Sequence, residues 1–183
     1  MERKAKIERK TAETSITLSL LLESVQGSQV QTGVPFFDHM LLSLARHGKM
    51  NMVLTCDGDI HVDDHHSVED TGICLGKAFR KALGDRKGIR RYGDAIVPMD
   101  EALSMCAVDL SGRGFFHYSG PDLQGYIHTY SEELTLEFLR SFAMNAELTL
   151  HVRLLDGKNR HHIHEAIFKS LAVALNRAYT IDS

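Results

Sequence analysis

The chain has 183 residues, is 43% hydrophobic and 25% charged, and carries a net charge of −3. That suits one domain, or two fused half-domains, with a real hydrophobic core. With no long basic run and no apolar run of membrane-spanning length, neither a nucleic-acid footprint nor a membrane anchor is indicated. The N-terminal MERKAKIERK is basic but has no apolar segment behind it, so it is not a signal peptide. Cys56, Cys74 and Cys106 show no C-x-x-C spacing and read as buried thiols of a reduced, cytoplasmic chain. Tryptophan is absent, and histidine, at 11, is the outlier.

In chain order, residues 14–22 place Ile16, Leu18, Leu20 and Leu22 on one face at period two, a half-buried strand. Val30–Val34 is a second short strand or a loop. Asp38–His47 reads as a helix stopped at Gly48. Met50–Cys56 and Asp59–Val62 read as strands around an Asp57-Gly58 turn. His66–Leu83 carries Val68, Ile73, Leu75, Ala78 and Phe79 at helical spacing and ends at Gly84. Asp85–Gly93 joins the halves, giving half-repeats 1–88 and 89–183. Ala95–Met99, Leu103–Leu110 and Gly114–Tyr118 follow as strands. Ser131 is expected to cap a helix running to about Ala146, with Leu148–Leu155 a strand and His161–Ala178 the last helix. The fold class is α+β: duplicated two-layer half-domains, each a mostly antiparallel sheet with two helices on one face.

The duplication is visible in the sequence itself. Aligning His39 with Glu137 pairs Leu41 with Leu139, Ser43 with Ser141 and Ala45 with Ala143. After a small length difference, His65, His66 and Glu69 meet His161, His162 and Glu165. Both halves thus carry H-H-x-x-E at the start of a helix. Adjacent residues on a helix point about 100° apart, so neighbouring histidines do not readily share an ion, whereas residues four apart share a face. His65 therefore pairs with Glu69 and His161 with Glu165, while His66 and His162 turn toward a different ion or another subunit. One such pattern alone is usually a solvated helix face. Two at equivalent places point to metal. His39 and Glu137 add a third ligand position per half, completing a set of eight nitrogen and oxygen donors. The lack of sulfur suits Mn²⁺, Fe²⁺ or a catalytic Zn²⁺, with Mn²⁺ favoured by open octahedral positions.

Arg91 in GIRRYG and Arg113 in DLSGRG lie in glycine-flanked turns where a guanidinium can reach a phosphate, and Lys169 lies two turns after His162. Glu13 and its counterpart Glu101 start equivalent strands and are candidate acids or bases. His61, His117, His128 and His151 read as ordinary strand or loop residues, His47 as a helix-end residue, and His164 as lying off the ligand face.

The segments RKTAETSI, GVPFFDHML, GDIHVDDHHSVEDTGI, RYGDAIVPMDEAL, DLSGR and GKNRHHIHEAIFKSLAVAL together resemble the imidazoleglycerol-phosphate dehydratases, over nearly the whole chain. The resemblance implies a ribosomal protein S5 domain 2-like unit. It also implies loss of water from imidazole glycerol phosphate to give imidazole acetol phosphate in L-histidine biosynthesis, at a site with two Mn²⁺ that binds the imidazolate. It implies trimers building a large octahedral homo-oligomer, with sites at subunit interfaces. Metal positions fall on His39, His65, His66, Glu69, Glu137, His161, His162 and Glu165, position 137 being histidine in many members and glutamate in others. Catalytic positions fall on Glu13, His66 and Glu165, with Glu13 the first choice as proton shuttle. Substrate positions fall on Glu13, His39, His47, His65, Glu69, Arg91, Arg113, His161 and Lys169. Members usually run on into a tail of the form P-S-T-K-G-V-L, whose Ser-Lys part contacts the phosphate, whereas this sequence ends at TIDS. Either the sequence stops short of that tail or the phosphate is held without it. A binuclear metallohydrolase acting on a phosphorylated small molecule, and a metal-assembled scaffold without catalysis, use the same ligands and remain alternatives at this level.

Overall fold

A computed structural model describes residues 2–182. In the first half, strands β1 (Lys4–Lys10), β2 (Thr14–Leu22), β3 (Gln29–Gln31) and β4 (Met50–Gly58) form one sheet in the order β1-β2-β4-β3. In the second, β5 (Tyr92–Met99), β6 (Ala102–Asp109), β7 (Phe115–Ser119) and β10 (Thr149–Asp156) form another in the order β5-β6-β10-β7. The two orders are the same when equivalent strands are matched. In both sheets the third strand runs parallel to its neighbour and every other pairing is antiparallel. Strand β2 buries Ile16, Leu18, Leu20 and Leu22 as the period-two pattern requires.

Each half contributes two helices: α1 (Pro35–His47) and α2 (His65–Leu83), then α3 (Leu134–Ala146) and α4 (Arg160–Tyr179). They lie between the two sheets, and they pair across the halves. Helix α1 packs on α4, and α2 on α3. Burial keeps the sequence alignment in phase. Met40, Leu41, Leu44 and Ala45 are buried in α1 where Phe138, Leu139, Phe142 and Ala143 are buried in α3. Close approach of helix and sheet is made possible at Gly93 in β5, where a methyl group would overlap the Ala174 carbonyl of α4. The three cysteines are free and buried.

Three expectations change, and one strand appears where none was expected. Residues 4–10 form strand β1, which pairs with β2 along its whole length; the inward positions are only Ala5, Ile7 and Arg9, so the charged sequence masks the alternation. Asp59–Val62 is a turn and not a strand, because Asp59 is drawn back to the start of α2 by a hydrogen bond to His66. Ser131 does not cap α3. It lies in a small hairpin of β8 (Tyr126–Ile127) and β9 (Tyr130–Ser131), the N-cap is Glu133, and no side chain caps that end. That hairpin belongs to residues 120–133, which replace the short 32–34 link of the first half. Helix α1 also begins earlier than Asp38, with Pro35 in its first turn, where a missing N–H costs nothing.

Candidate metal centre

The start of α1 is fixed by Asp38, whose Oδ1 accepts from the Thr32 amide at 2.9 Å and from the Thr32 hydroxyl. This turn presents His39. The start of α4 is fixed twice. Asn159 is its N-cap, with Oδ1 accepting from the His162 amide at 3.1 Å. Glu101, in the β5–β6 turn, accepts from the Asn159 and Lys158 amides at 2.6 and 3.2 Å. Its other oxygen lies 2.7 Å from His162 Nδ1. The hydrogen bond to His162, reinforced by those amides, holds the Glu101 carboxyl down at about 2 and pushes the His162 imidazole up. Helix α2 is set similarly. Asp63 accepts from the His65 amide at 2.9 Å, and Asp59 Oδ2 lies 2.9 Å from His66 Nδ1, raising the His66 pKa.

Because α1 lies on α4, His39 of the first half meets His161 and Glu165 of the second. One ligand atom from each lies within 4.8 Å of the others. His39 Nε2 is 3.7 Å and His161 Nε2 3.0 Å from Glu165 Oε2. The other oxygen of Glu165 is 2.7 Å from Lys169 Nζ. Burial works to raise the Glu165 carboxyl, but Lys169, with help from His161 and His39, holds it below its ordinary value. His47, two turns along α1, is kept low by partial burial and by the charges of Lys169 and Arg46.

The first-half set is looser. His65 Nε2 is 3.6 Å from Glu69 Oε2, and His65 faces a cleft of about 240 Å³ shared with Asp63, Tyr126, Thr129 and Ser131. Glu137 lies half-buried in the first turn of α3, which packs on α2, but it is not part of the three-residue cluster. His66 and His162 are not part of that cluster; each is tied by Nδ1 to a carboxylate, and His162 Nε2 lies 3.9 Å from Asp100 Oδ2. A carboxylate on the far nitrogen is the usual support of a metal-bound imidazole. The donor set therefore fits a divalent ion of intermediate hardness.

Glu13 is exposed; its carbonyl accepts from the Asp59 amide at 3.1 Å, which sets it near His66. Arg91 and Arg113 are not brought to the cluster. Arg91 forms a two-pronged pair with Asp109 at 2.8 and 3.3 Å, and its amide binds the Ala178 carbonyl at the far end of α4. From His161 to Ala178 is about 25 Å along a helix rising ~1.5 Å per residue. Arg113 sits past β6, in a turn where its amide binds Ser111 Oγ. Sequence reasoning missed Asp59, whose position in an apparent strand hid it. It also set aside His164, which is fully buried and whose pKa burial lowers against the pull of Glu132.

The imidazoleglycerol-phosphate dehydratase family profile matches residues 32–175. The chain belongs to the imidazoleglycerol-phosphate dehydratase family. It is 50% identical over 180 residues to the dehydratase of Streptococcus mutans, covering 98% of this chain and 93% of that protein. It is 53% identical over 175 residues to that of Leptospira biflexa, covering 96% and 89%. The crystal structure of the Staphylococcus aureus family member superposes with a TM-score of 0.88 at 34% identity, over 97% of this chain and 99% of that one. That of the Pyrococcus furiosus member, in complex with (S)-C348, gives 0.83 at 34% identity, over 97% and 94%. The α+β architecture of the family and of this chain is thus the same. No helix among the described residues is long and apolar enough to cross a membrane.

Proposed function

We propose that this chain is a hydro-lyase that converts imidazole glycerol phosphate to imidazole acetol phosphate in histidine biosynthesis, in the cytoplasm, with two Mn²⁺ per site. The observation that carries the metal part is the convergence of His39, His161 and Glu165 from two different halves. By the repeat, His65, Glu69 and Glu137 form the counterpart set, and His66 and His162 complete the eight donors. Bound there, Mn²⁺ would act as a Lewis acid that makes the substrate's ring N–H easier to lose.

The chain's own residues do the rest. The hydroxyl on the carbon next to the ring leaves as water, carrying the proton lost from the ring N–H. The middle carbon of the glycerol chain gives up its proton, which in turn replaces the one the ring lost. Glu13, exposed and near His66, receives that proton. The resulting enol becomes the ketone by proton return to the carbon next to the ring. Lys169 on α4 and His47 on α1, close enough for the Lys169 charge to act on His47, serve the phosphate end. Arg91 and Arg113 complete phosphate binding from a neighbouring copy: ~25 Å of helix separates Arg91 from His161 in its own chain, and Arg113 sits past β6, away from the cluster. This distance supports a site built between subunits; the trimers and closed octahedral shell follow from the family resemblance.

Mass spectrometry of the product tests the reaction. Incubation of the Mn²⁺-loaded protein with imidazole glycerol phosphate should give a product lighter by one water. Release of inorganic phosphate would replace this reading with a phosphatase, and no turnover with metal retained would leave a scaffold.

A further inference from the structure

His164, the fifth residue of α4, is fully buried, at a level of the core that needs no imidazole. Its counterpart in α2 is Val68, equally buried. In the second half the ring is engaged at both nitrogens. Nδ1 lies 2.8 Å from Thr135 Oγ1 and Nε2 lies 3.2 Å from Glu132 Oε2, while Tyr130 Oη lies 2.9 Å from Thr135 Oγ1. A carboxylate only accepts, so the Nε2 proton goes to Glu132. Nδ1 is then the acceptor for the Thr135 hydroxyl, whose oxygen in turn accepts from Tyr130. The relay runs in one direction, from Tyr130 through Thr135 and His164 to Glu132 Oε2, while Glu132 Oε1 has no hydrogen bond and stands 3.2 Å from Arg160 Nε as an ion pair. Directed donors and acceptors of this kind favour one geometry.

The relay connects the first turns of three helices that carry the acidic and imidazole ligands. Thr135 lies in α3, two residues before Glu137. His164 lies in α4, between His161 and Glu165. Phe36 lies in α1, three residues before His39, and its ring meets His164 edge-on at 6.0 Å and His161 edge-on at 5.4 Å. The same ring packs on Tyr130 at 5.1 Å.

We propose that His164 is a positioning residue for the metal centre: held at both ring nitrogens, it locks the first turns of α1, α3 and α4 so that His39, His161 and Glu165 converge. This rests on the metal reading given above. His164→Leu removes the relay and roughly keeps the volume. His164→Gln keeps a donor and an acceptor, and Thr135→Val cuts the relay with almost no change in shape. Mn²⁺ affinity is read by electron paramagnetic resonance of the free ion, beside urea unfolding in chelator. The expected result is Mn²⁺ binding weaker by about tenfold or more in His164→Leu and Thr135→Val, and largely restored in His164→Gln. Wild-type affinity in both His164→Leu and Thr135→Val, whatever their stability, overturns the inference and makes the relay purely structural. If His164→Leu fails to fold, Thr135→Val alone decides. Absence of Mn²⁺ binding by the unaltered chain overturns the metal reading, and this inference with it.

Discussion

His39 Nε2 stands 3.7 Å from Glu165 Oε2 although the two residues belong to opposite halves of the chain. Only the crossed pairing of α1 with α4 allows this. Glu165 also balances His161 and Lys169, so it concentrates the negative charge on which the cluster depends. Glu165→Gln keeps the shape and removes the charge. Mn²⁺ binding at this centre should weaken by about 100-fold or more, with turnover falling in parallel. Metal titration and steady-state rates measured on the same preparation check this.

Acid should displace the metal. Ligand histidines must be neutral, yet the carboxylates beside His66 and His162 raise both above the ordinary 6.5. Mn²⁺ affinity should therefore begin to fall at a pH above 6.5, and binding should release protons. Calorimetry in buffers of different ionisation enthalpy counts them. Constant affinity down to pH 5.5 would rule out both histidines as ligands.

In chelator the pH dependence of stability has two opposed parts. His66 and His162 bind their proton more tightly when folded. Their contribution is full below pH 6.5 and is lost as pH rises through their raised folded values. His164 is held neutral by burial, so its contribution is full above 6.5 and is lost as pH falls toward its lowered folded value. His164→Gln should remove the second part only. Urea midpoints between pH 5 and 8 for the two proteins would separate them.

Arg91 and Glu165 should act in the same site from different chains. Arg91→Ala is expected to raise KM, by about 10-fold or more for a lost charge-assisted phosphate contact, and to leave metal content unchanged. Dissociating Arg91→Ala and Glu165→Gln proteins, mixing them and reassembling should restore activity above that of either alone. No gain on mixing would place both residues in one protomer's site.

Gly93→Ala tests the packing that holds α4 in place. A methyl group there meets the Ala174 carbonyl, and overpacking of this kind costs about 1–3 kcal/mol. Urea unfolding should show the loss, with weaker Mn²⁺ binding following because α4 carries both His161 and Glu165.

The repeat and the metal-type pattern were legible because H-H-x-x-E recurs at equivalent places and apolar residues stay in phase across both halves. What was hidden had physical causes. Strand β1 faces solvent with Lys4, Lys6, Glu8 and Lys10, so its alternation reads as a basic tail. Its counterpart β5 was partly visible, and the duplication could have located β1 from it. Asp59 acts through a turn whose sequence, DIHV, has the composition of a strand. His164 gives no sequence signal, because its partners Glu132 and Thr135 lie about 30 positions away and meet it only through tertiary packing.

The crossed helices also bear on how the two halves could diverge. If a single half once existed alone, it could have made this arrangement only as a symmetric pair, and every ligand would then have been the same residue on both sides. Joining two copies in one chain removes that constraint. The chain can then hold His39 at one position and Glu137 at its counterpart, an imidazole on one side of the repeat and a carboxylate on the other. The two ends of the repeat are thereby free to differ in charge and in task.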